Sequence, residues 1–364
     1  MNKKIRVLFT IPNFDTAGSG KVVYDLAKGL DASKFDVEIA CEADTGELFK
    51  TVQSLNFPIH IIETKTNYRP YYNLFSRVKK ISGFFKEQQY DIIHSWQWSS
   101  DWTEALAAKF AGVKWIYTKK AMGFESRHWK IKSRLADYII TINDEMRHYF
   151  PNKQQQQLIP LGLDTDYYSP SATFAEVKYT PETFKIITVA NLVPVKGIEI
   201  LIKALNDIND THIQLDVLGD DTNEYAEKLK ALVRELQLEE QVHFLGKKID
   251  VRPDMAHSDL YVIPTLDQGR KEGMPMALVE AMSMGIPLLG SDISGINYVL
   301  RDFKELLFEP GNVQQLAERI LSIQKMTREK RAQLGTSLRD YCVAHYTVEA
   351  FVEAHELLYQ ELKN

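Results

Sequence analysis

Residues 264–287 read PTLDQGRKEGMPMALVEAMSMGIP and contain the pattern that decides the fold. The apolar run 260–263, just before them, is short and bounded by a proline, which predicts a buried strand. A polar loop follows, and Pro275 predicts the first turn of a helix that ends at Gly285. Free N–H groups at such a helix start bind anions well. The N–H groups concerned belong to Gly273, Met274, Met276 and Ala277.

Two carboxylates frame this turn. Glu272 precedes the predicted helix, and Glu280 lies inside it with seven residues between them. An acid on an otherwise apolar helix suggests a specific hydroxyl partner such as a ribose. The alternative is that Glu280 is a solvated surface residue and Glu272 a helix cap. The glycine and proline positions around the pair favour a turn that faces a phosphate.

The stretch from Glu272 to Glu280, followed by Gly285-Ile-Pro and by Gly295, resembles the E-x7-E signature of retaining glycosyltransferases of family four. The resemblance implies a GT-B fold, in which two Rossmann-like, doubly wound α/β domains face each other across a cleft. It also implies that Glu280 holds the ribose hydroxyls of a nucleotide sugar and that Glu272 is a catalytic residue that contacts the transferred sugar.

The β-α alternation restarts after residue 183, which predicts two domains. Residues 1–168 are expected to form the N-terminal, acceptor-binding domain, and 184–345 the donor-binding domain. The polar stretch 169–183 is expected to be the linker. In the resembled family the last helix, here 346–364, packs back onto the N-terminal domain.

Composition limits the classes of protein to which the chain can belong. A chain of 364 residues with 45% hydrophobic and 26% charged residues is an ordinary globular composition. The net charge of -5 gives no support for nucleic-acid binding. Cys41 and Cys342 are too few for a disulfide framework, which predicts a reduced, cytoplasmic setting. The first apolar run is too short to cross a membrane, so any membrane contact is expected to be peripheral, on the inner face.

The first predicted β-loop-α unit contains a glycine loop with Gly18 and Gly20 before a helix expected from Lys21. A phosphate-binding P-loop is excluded because Asp15 and Val22 occupy positions that need glycine and serine or threonine. The resemblance implies that this loop contacts the donor diphosphate, and a plain tight turn is the alternative.

His94 is predicted at the carboxyl end of a short strand, the edge where ligands bind in open α/β sheets. We expect it to be catalytic by hydrogen bonding the sugar or positioning the acceptor, and the alternative is a structural histidine whose hydrogen bonds are satisfied within the protein. Nearby residues are expected to bind the acceptor, since indole faces stack on sugars. These are Trp96, Trp98, Lys119 and Lys120. The basic, aromatic stretch 121–134 is predicted to be loop-like. It is expected either to bind a phosphorylated or lipid-linked acceptor or to lie against an anionic membrane, and the alternative is a solvated basic surface.

In the second domain Lys196 stands beside Gly197 at a strand-to-helix turn. A lysine at such a turn favours binding of a diphosphate, and we expect Lys196 to be catalytic through that contact. Most relatives in the resembled family place an arginine where this chain has Asn191. Asn191 can donate a hydrogen bond to the donor but supplies no charge. In the resembled family the residues just after the third strand of this domain lie along the donor base, which implies that position for Lys247.

The predicted function is transfer of a sugar from a UDP- or GDP-linked donor to a saccharide or lipid-linked acceptor, with retention, in cell-surface polysaccharide or glycolipid synthesis. No metal or other cofactor is expected, because a lysine and main-chain amides can stabilise the leaving diphosphate. Two alternatives remain. One is another GT-B enzyme such as a nucleotide-sugar epimerase, and the other is a catalytically silent nucleotide-sugar-binding protein, suggested by Asn191.

Overall fold

A computed structural model describes residues 3–15, 17–171, 174, 183–269 and 271–363. The chain divides into two compact units. Unit 1 comprises Met1–Gly162 and Val348–Asn364, and unit 2 comprises Leu163–Thr347. The first boundary therefore comes before residue 168, and the expected linker 169–183 lies largely outside the described residues.

Unit 1 contains a parallel seven-stranded sheet in the order β3-β2-β1-β4-β5-β6-β7. Its strands are β1 (Ile5–Ile11), β2 (Phe35–Cys41), β3 (Ile59–Ile61), β4 (Ile92–Ser95), β5 (Lys114–Lys119), β6 (Tyr138–Thr141) and β7 (Gln156–Leu158). Its helices are α1 (Ala17–Gly29), α2 (Glu47–Gln53), α3 (Leu74–Glu87), α4 (Thr103–Ala111), α5 (Arg127–Leu135) and, from the chain end, α13 (Val348–Lys363). Single 3-10 turns occupy Tyr71–Asn73 and Glu145–Tyr149.

Unit 2 contains a parallel six-stranded sheet in the order β10-β9-β8-β11-β12-β13. Its strands are β8 (Phe184–Val189), β9 (Ile213–Leu218), β10 (Val242–Phe244), β11 (Leu260–Ile263), β12 (Leu288–Ser291) and β13 (Leu307–Phe308). Its helices are α6 (Ile198–Ile208), α7 (Glu224–Glu235), α8 (Arg252–Ala256), α9 (Met276–Ser283), α10 (Ser294–Val299), α11 (Val313–Gln324) and α12 (Arg328–His345). The 3-10 turns here are Pro194–Lys196 and Lys304–Leu306.

The central strands of both sheets are buried on both faces, as continuous apolar strands require, whereas the edge strands β3 and β7 are partly exposed. Strand β11 is buried along its whole length, and β4 likewise. The last helix, α13, packs against α1, β1 and β4 and so covers the sheet of unit 1. Both cysteines are free and buried. No described helix has the length and apolar content needed to cross a membrane.

Candidate functional site

The turn after β8 is fastened to the exit of β11 in unit 2. The N–H of Leu266 donates to the carbonyl oxygen of Val195 at 2.8 Å. Gly197 has φ +63°, and a Cβ at this position would collide with the carbonyl oxygen of Pro264. Only glycine combines this backbone conformation with so close an approach. The two loops therefore meet at the carboxyl edge of the sheet, where ligands bind in this kind of fold.

This junction brings Lys196 and Glu272 into direct contact. The Lys196 ammonium pairs with Oε1 of Glu272, and the Lys196 side chain is only 10% exposed. The second carboxylate oxygen, Oε2, is buried and has no hydrogen-bond partner among the described residues. A buried oxygen without a partner costs free energy unless a ligand satisfies it. Lys196 and Glu272, both predicted to be catalytic, thus form one ion pair, and Oε2 of Glu272 can still accept a hydrogen bond from a ligand.

The loop after Glu272 is held by a second close approach. A Cβ at Gly295, in α10, would collide with the carbonyl oxygens of Glu272 and Gly273. Helix α9 begins at Met276, so Pro275 precedes the helix and does not stand in its first turn as the sequence predicted. No described side chain caps this helix. Met274 is buried, whereas Met276 and Ala277 are partly exposed at the helix start. The glycine contact fixes where this helix start stands.

Glu280 lies on α9 and is half-buried. The hydroxyl of Tyr168 donates a hydrogen bond to its carboxylate. Burial is the main cause that raises the pKa of Tyr168, and the charge of Glu280 adds to it. One turn further along α9, the Ser283 hydroxyl donates to the carbonyl oxygen of Tyr168 at 2.7 Å. Tyr168 is thus fixed to α9 by both its main chain and its side chain.

A second tyrosine, Tyr261, lies close to both acids. It belongs to β11 and is fully buried. Burial, followed by the charges of Glu272 and Glu280, raises its pKa well above the usual value, so it stays neutral. Sequence reasoning missed Tyr168 and Tyr261. The position of Tyr261 in an apolar strand gave no sign that it would lie near charge, and the tyrosine pair at 167–168 was the only signal for Tyr168.

Two other residues predicted to bind the donor lie at the surface of unit 2. Asn191 is exposed just after β8, and its carbonyl oxygen accepts from the N–H of Val193 at 2.9 Å. Lys247 is exposed after β10, where its charge helps to lower the pKa of Asp220, mainly set by hydrogen bonds from Thr222. Neither position is fixed by packing in the way that Lys196 is.

The structure corrects the predicted role of His94 in unit 1. The side chain is fully buried, with Nδ1 hydrogen bonded to the Tyr359 hydroxyl at 2.6 Å and Nε2 to the Thr118 hydroxyl at 2.8 Å. Burial, followed by the charges of His355 and Lys120, holds the pKa of His94 well below its usual value. His94 points onto the sheet face that α13 covers, so both of its nitrogens serve packing, and neither is available to a sugar.

The predicted acceptor residues divide into buried and accessible ones. Trp96 and Lys119 are buried, which is a correction, because neither offers a surface to a sugar. The Lys119 ammonium contacts the carbonyl oxygen of Ala121 and lies 4.3 Å from the centre of the Trp129 ring. Trp98 and Lys120 are partly exposed, and the Lys120 ammonium donates to the carbonyl oxygen of Trp96 at 2.5 Å. The segment 121–134 is also not a loop, since α5 begins within it.

The predicted glycine loop is part of α1, which begins at Ala17 rather than Lys21. Gly18 is exposed, and a Cβ there would meet nothing within 4 Å. Gly20 is buried, and a Cβ there would approach the side chains of Leu48 and Phe14. Gly20 therefore allows α1 to pack closely on its neighbours, which is a structural reason for the glycine.

Two family models match the chain. The model described as Glycosyltransferase Family 4 matches residues 16–167, and the model described as Glycosyl transferases group 1 matches residues 172–340. The first matches most of unit 1 and the second most of unit 2.

Curated relatives agree with these matches. A glycosyltransferase of Escherichia coli K12, named for colanic acid biosynthesis, is 27% identical over 246 residues, which are 65% of this chain and 59% of the relative. The UDP-Gal:alpha-D-GlcNAc-diphosphoundecaprenol alpha-1,3-galactosyltransferase of Escherichia coli is 23% identical over 266 residues, covering 65% of this chain and 67% of that protein. The chain thus spans about three fifths of the first relative's length.

A solved structure shows the fold. The Anabaena protein crystallised in complex with UDP and glucose has a TM-score of 0.81 at 19% identity, covering 98% of this chain and 99% of that chain. The predicted fold class, two Rossmann-like α/β domains of the GT-B type, is confirmed.

Proposed function

The chain belongs to the family 4 glycosyltransferases, and from that membership we propose that it moves a sugar from a nucleoside diphosphate donor to an acceptor hydroxyl with retention of anomeric configuration. The observation that supports this best is the meeting of Lys196, Glu272 and the start of α9 at one sheet edge. Cation, acid and main-chain amides are the groups that a sugar diphosphate requires.

We propose that Lys196 neutralises the diphosphate as it leaves. Its ammonium is buried beside Glu272, and a low-polarity setting strengthens a charge interaction. The N–H groups of Gly273, Met274, Met276 and Ala277 would supply further donors, and Asn191 an uncharged one. These groups stabilise the leaving charge without a metal ion, and we propose that none is required.

The two acids take separate parts of the donor in this proposal. Glu272 would accept a hydrogen bond from the transferred sugar through Oε2, the oxygen left without a partner. Glu280, held by Tyr168, would accept from the ribose hydroxyls. Lys247 would lie along the base, and the UDP-bound similar structure favours uridine over guanosine. Because each acid has its own partner, they do not form the flanking carboxylate pair of a glycoside hydrolase.

We propose front-face attack for the transfer step. The bond between the sugar C1 and the diphosphate oxygen breaks, the acceptor oxygen bonds to C1 on the same face, and the acceptor proton passes to the leaving phosphate. The protein would orient the acceptor and hold the charge. Trp98 and Lys120, both partly exposed in unit 1, are the acceptor residues that this proposal retains.

The proposed acceptor is a saccharide or a lipid-linked saccharide of cell-surface polysaccharide or glycolipid synthesis. The relatives named above act in colanic acid biosynthesis and on a diphosphoundecaprenol-linked sugar by their names. A lipid-linked acceptor would require a peripheral membrane contact, for which the basic residues of α5 are suited.

A nucleotide-sugar screen by thermal shift, followed by NMR of the product anomer, tests this function. A ligand that binds only the folded protein raises the melting temperature, and the rise grows with the logarithm of the ratio of ligand concentration to Kd. We expect one donor to stabilise the protein and to yield an α-linked product from an α-linked donor. An inverted product would refute retention.

A silent binding protein is the second candidate, and the exposed, uncharged Asn191 favours it. Donor binding without turnover over an acceptor panel, unaffected by Glu272→Gln, would support this candidate against transfer. Free epimerised nucleotide sugar, formed with no acceptor present, would instead identify an epimerase.

A further inference from the structure

Thr265, just after β11 in unit 2, has a buried hydroxyl that no other part of the described chain satisfies. The residue is 1% exposed, and its Oγ1 atom has no hydrogen-bond partner among the described residues. A buried hydroxyl without a partner costs free energy in the folded protein. Ser291, at the end of the neighbouring strand β12, differs, because its hydroxyl donates to the carbonyl oxygen of Ile263 at 3.5 Å. The lack of a partner is therefore particular to Thr265 and not common to this sheet edge.

Main-chain contacts place Thr265 beside Lys196. The carbonyl oxygen of the residue before Thr265 lies so close to Gly197 that a Cβ on Gly197 would collide with it. The N–H of the residue after Thr265 donates to the carbonyl oxygen of Val195 at 2.8 Å. Val195 and Gly197 are the neighbours of Lys196 in the chain. Both neighbours of Thr265 thus contact both neighbours of Lys196, so the two residues lie side by side.

Thr265 and Glu272 carry complementary groups around this lysine. The Thr265 hydroxyl can donate a hydrogen bond, whereas Oε2 of Glu272 only accepts while the carboxylate is charged. Neither atom has a partner among the residues that the structure describes, and Lys196 pairs with the other carboxylate oxygen of Glu272. An ionised phosphate oxygen only accepts, and a sugar hydroxyl can donate. The Thr265 hydroxyl therefore suits a phosphate, and Oε2 of Glu272 suits a sugar.

We infer that the Thr265 hydroxyl binds a phosphate oxygen of the donor, next to the Lys196 ammonium. The inference rests on the proposed function, which assigns the diphosphate to Lys196. An ammonium supplies charge on a flexible stem, whereas the β-branched threonine side chain is stiff. A hydrogen bond from a fixed hydroxyl to a charged oxygen is strong and directional. Lys196 thus neutralises the diphosphate, and Thr265 determines where its oxygen stands.

Thermal unfolding without ligand gives the first test. Thr265→Val replaces the hydroxyl by a methyl group of similar size, so it removes a buried group that has no internal partner. We expect the variant to melt at the same temperature as the wild type or at a higher one. A lower melting temperature would mean that the hydroxyl stabilises the fold through a partner within the protein, and it would overturn the inference.

Calorimetry with UDP gives the second test. Thr265→Val should bind UDP roughly tenfold less tightly, because a hydrogen bond to a charged oxygen is lost. Uridine has no phosphate, so both proteins should bind it equally. Thr265→Ser keeps the hydroxyl and should retain most of the wild-type affinity for UDP.

Thr10→Val in unit 1 is the matched control. Thr10 is 0% exposed, and its Oγ1 atom likewise lacks a partner among the described residues. This variant should tolerate the loss of its hydroxyl as Thr265→Val does, but it should bind UDP like the wild type. An equal loss of UDP affinity in both variants would indicate a general effect of removing a buried hydroxyl, and the inference would fail.

Two further outcomes would overturn the inference alone. One is unchanged UDP affinity in Thr265→Val, and the other is a loss confined to UDP-sugars, which would assign the hydroxyl to the sugar. A wild-type protein that binds neither UDP nor GDP would instead refute the proposed function, and the role of Thr265 with it. The wild-type titration therefore separates failure of the donor site from failure of this one residue.

Discussion

The carboxyl edges of the two sheets give opposite outcomes for the same kind of prediction. In unit 2 the residues chosen from the sequence meet, because Lys196 pairs with Glu272 and Glu280 lies on the helix that follows. In unit 1 His94 and Trp96 were chosen from the end of β4, and both are fully buried.

The difference comes from what each pattern specifies. In unit 2 the glycines require close backbone approaches, and those approaches fix the loops relative to each other. In unit 1 only the end of a strand indicated a site, and successive side chains on a strand point to opposite faces. His94 points towards α13, a helix about 260 residues further along the chain, so its surroundings depend on the fold of the distant chain end.

The largest expected effect concerns His355, and its measurement tests whether the buried histidines of unit 1 are packing residues. His355 lies on α13, is fully buried and stacks on His94 with ring centres 5.5 Å apart. Burial lowers the pKa of His355 to about 4, from an ordinary value of 6.5. The unfolded chain therefore takes up its proton first as the pH falls, and stability is lost between pH 6.5 and about 4. This one group should lower the free energy of unfolding by about 3 kcal/mol over that range.

Denaturant unfolding of the wild type and of His355→Phe at several pH values measures this effect. On acidification the free energy of unfolding of the variant should fall by about 3 kcal/mol less than that of the wild type. At pH 8 the two proteins should differ little. Equal pH profiles would mean that His355 is accessible to protons in the folded protein. The comparison between the two edges would then lose its physical basis.

The next effect concerns Lys196. Lys196→Ala removes the ammonium from the phosphate site, and a charge-assisted hydrogen bond contributes about 2 kcal/mol. We expect roughly thirtyfold weaker binding of the nucleoside diphosphate by calorimetry. Lys203→Ala, at an exposed lysine on α6, changes the net charge equally and should leave the affinity unchanged. Equal losses in both variants would indicate a general charge effect rather than a site.

The smallest effect concerns Tyr168, which orients Glu280 without touching the substrate in the proposed site. Tyr168→Phe removes one hydrogen bond to the carboxylate, about 1 kcal/mol, so UDP should bind about fivefold less tightly. Deoxy-UDP should be affected less, because it has lost the hydroxyl that Glu280 would hold. Tyr167→Phe is the control. A uniform loss for both nucleotides would assign Tyr168 a structural role only.

The secondary structure was more predictable than the site. The bounds of β1 and β2 follow directly from their apolar runs, whereas α1 begins four residues before the predicted Lys21. Two glycines in its first turn concealed that start, since glycine disfavours helix. The close approach of Gly20 to Leu48 and Phe14, which favours a glycine there, is evident only in the folded unit. The helix α5 was missed for a related reason, because it has few apolar residues and its burial depends on the sheet beneath it.

The sequence by itself determined the family, the two α/β units and the loop that contains Glu272 and Glu280, because glycine, proline and acid positions within one short segment act locally. Only the tertiary structure decided that Lys196 meets Glu272, that Tyr168 holds Glu280 and that His94 is enclosed by α13. These contacts join residues 76, 112 and 265 positions apart, and no local pattern specifies which distant side chain will fill a given space.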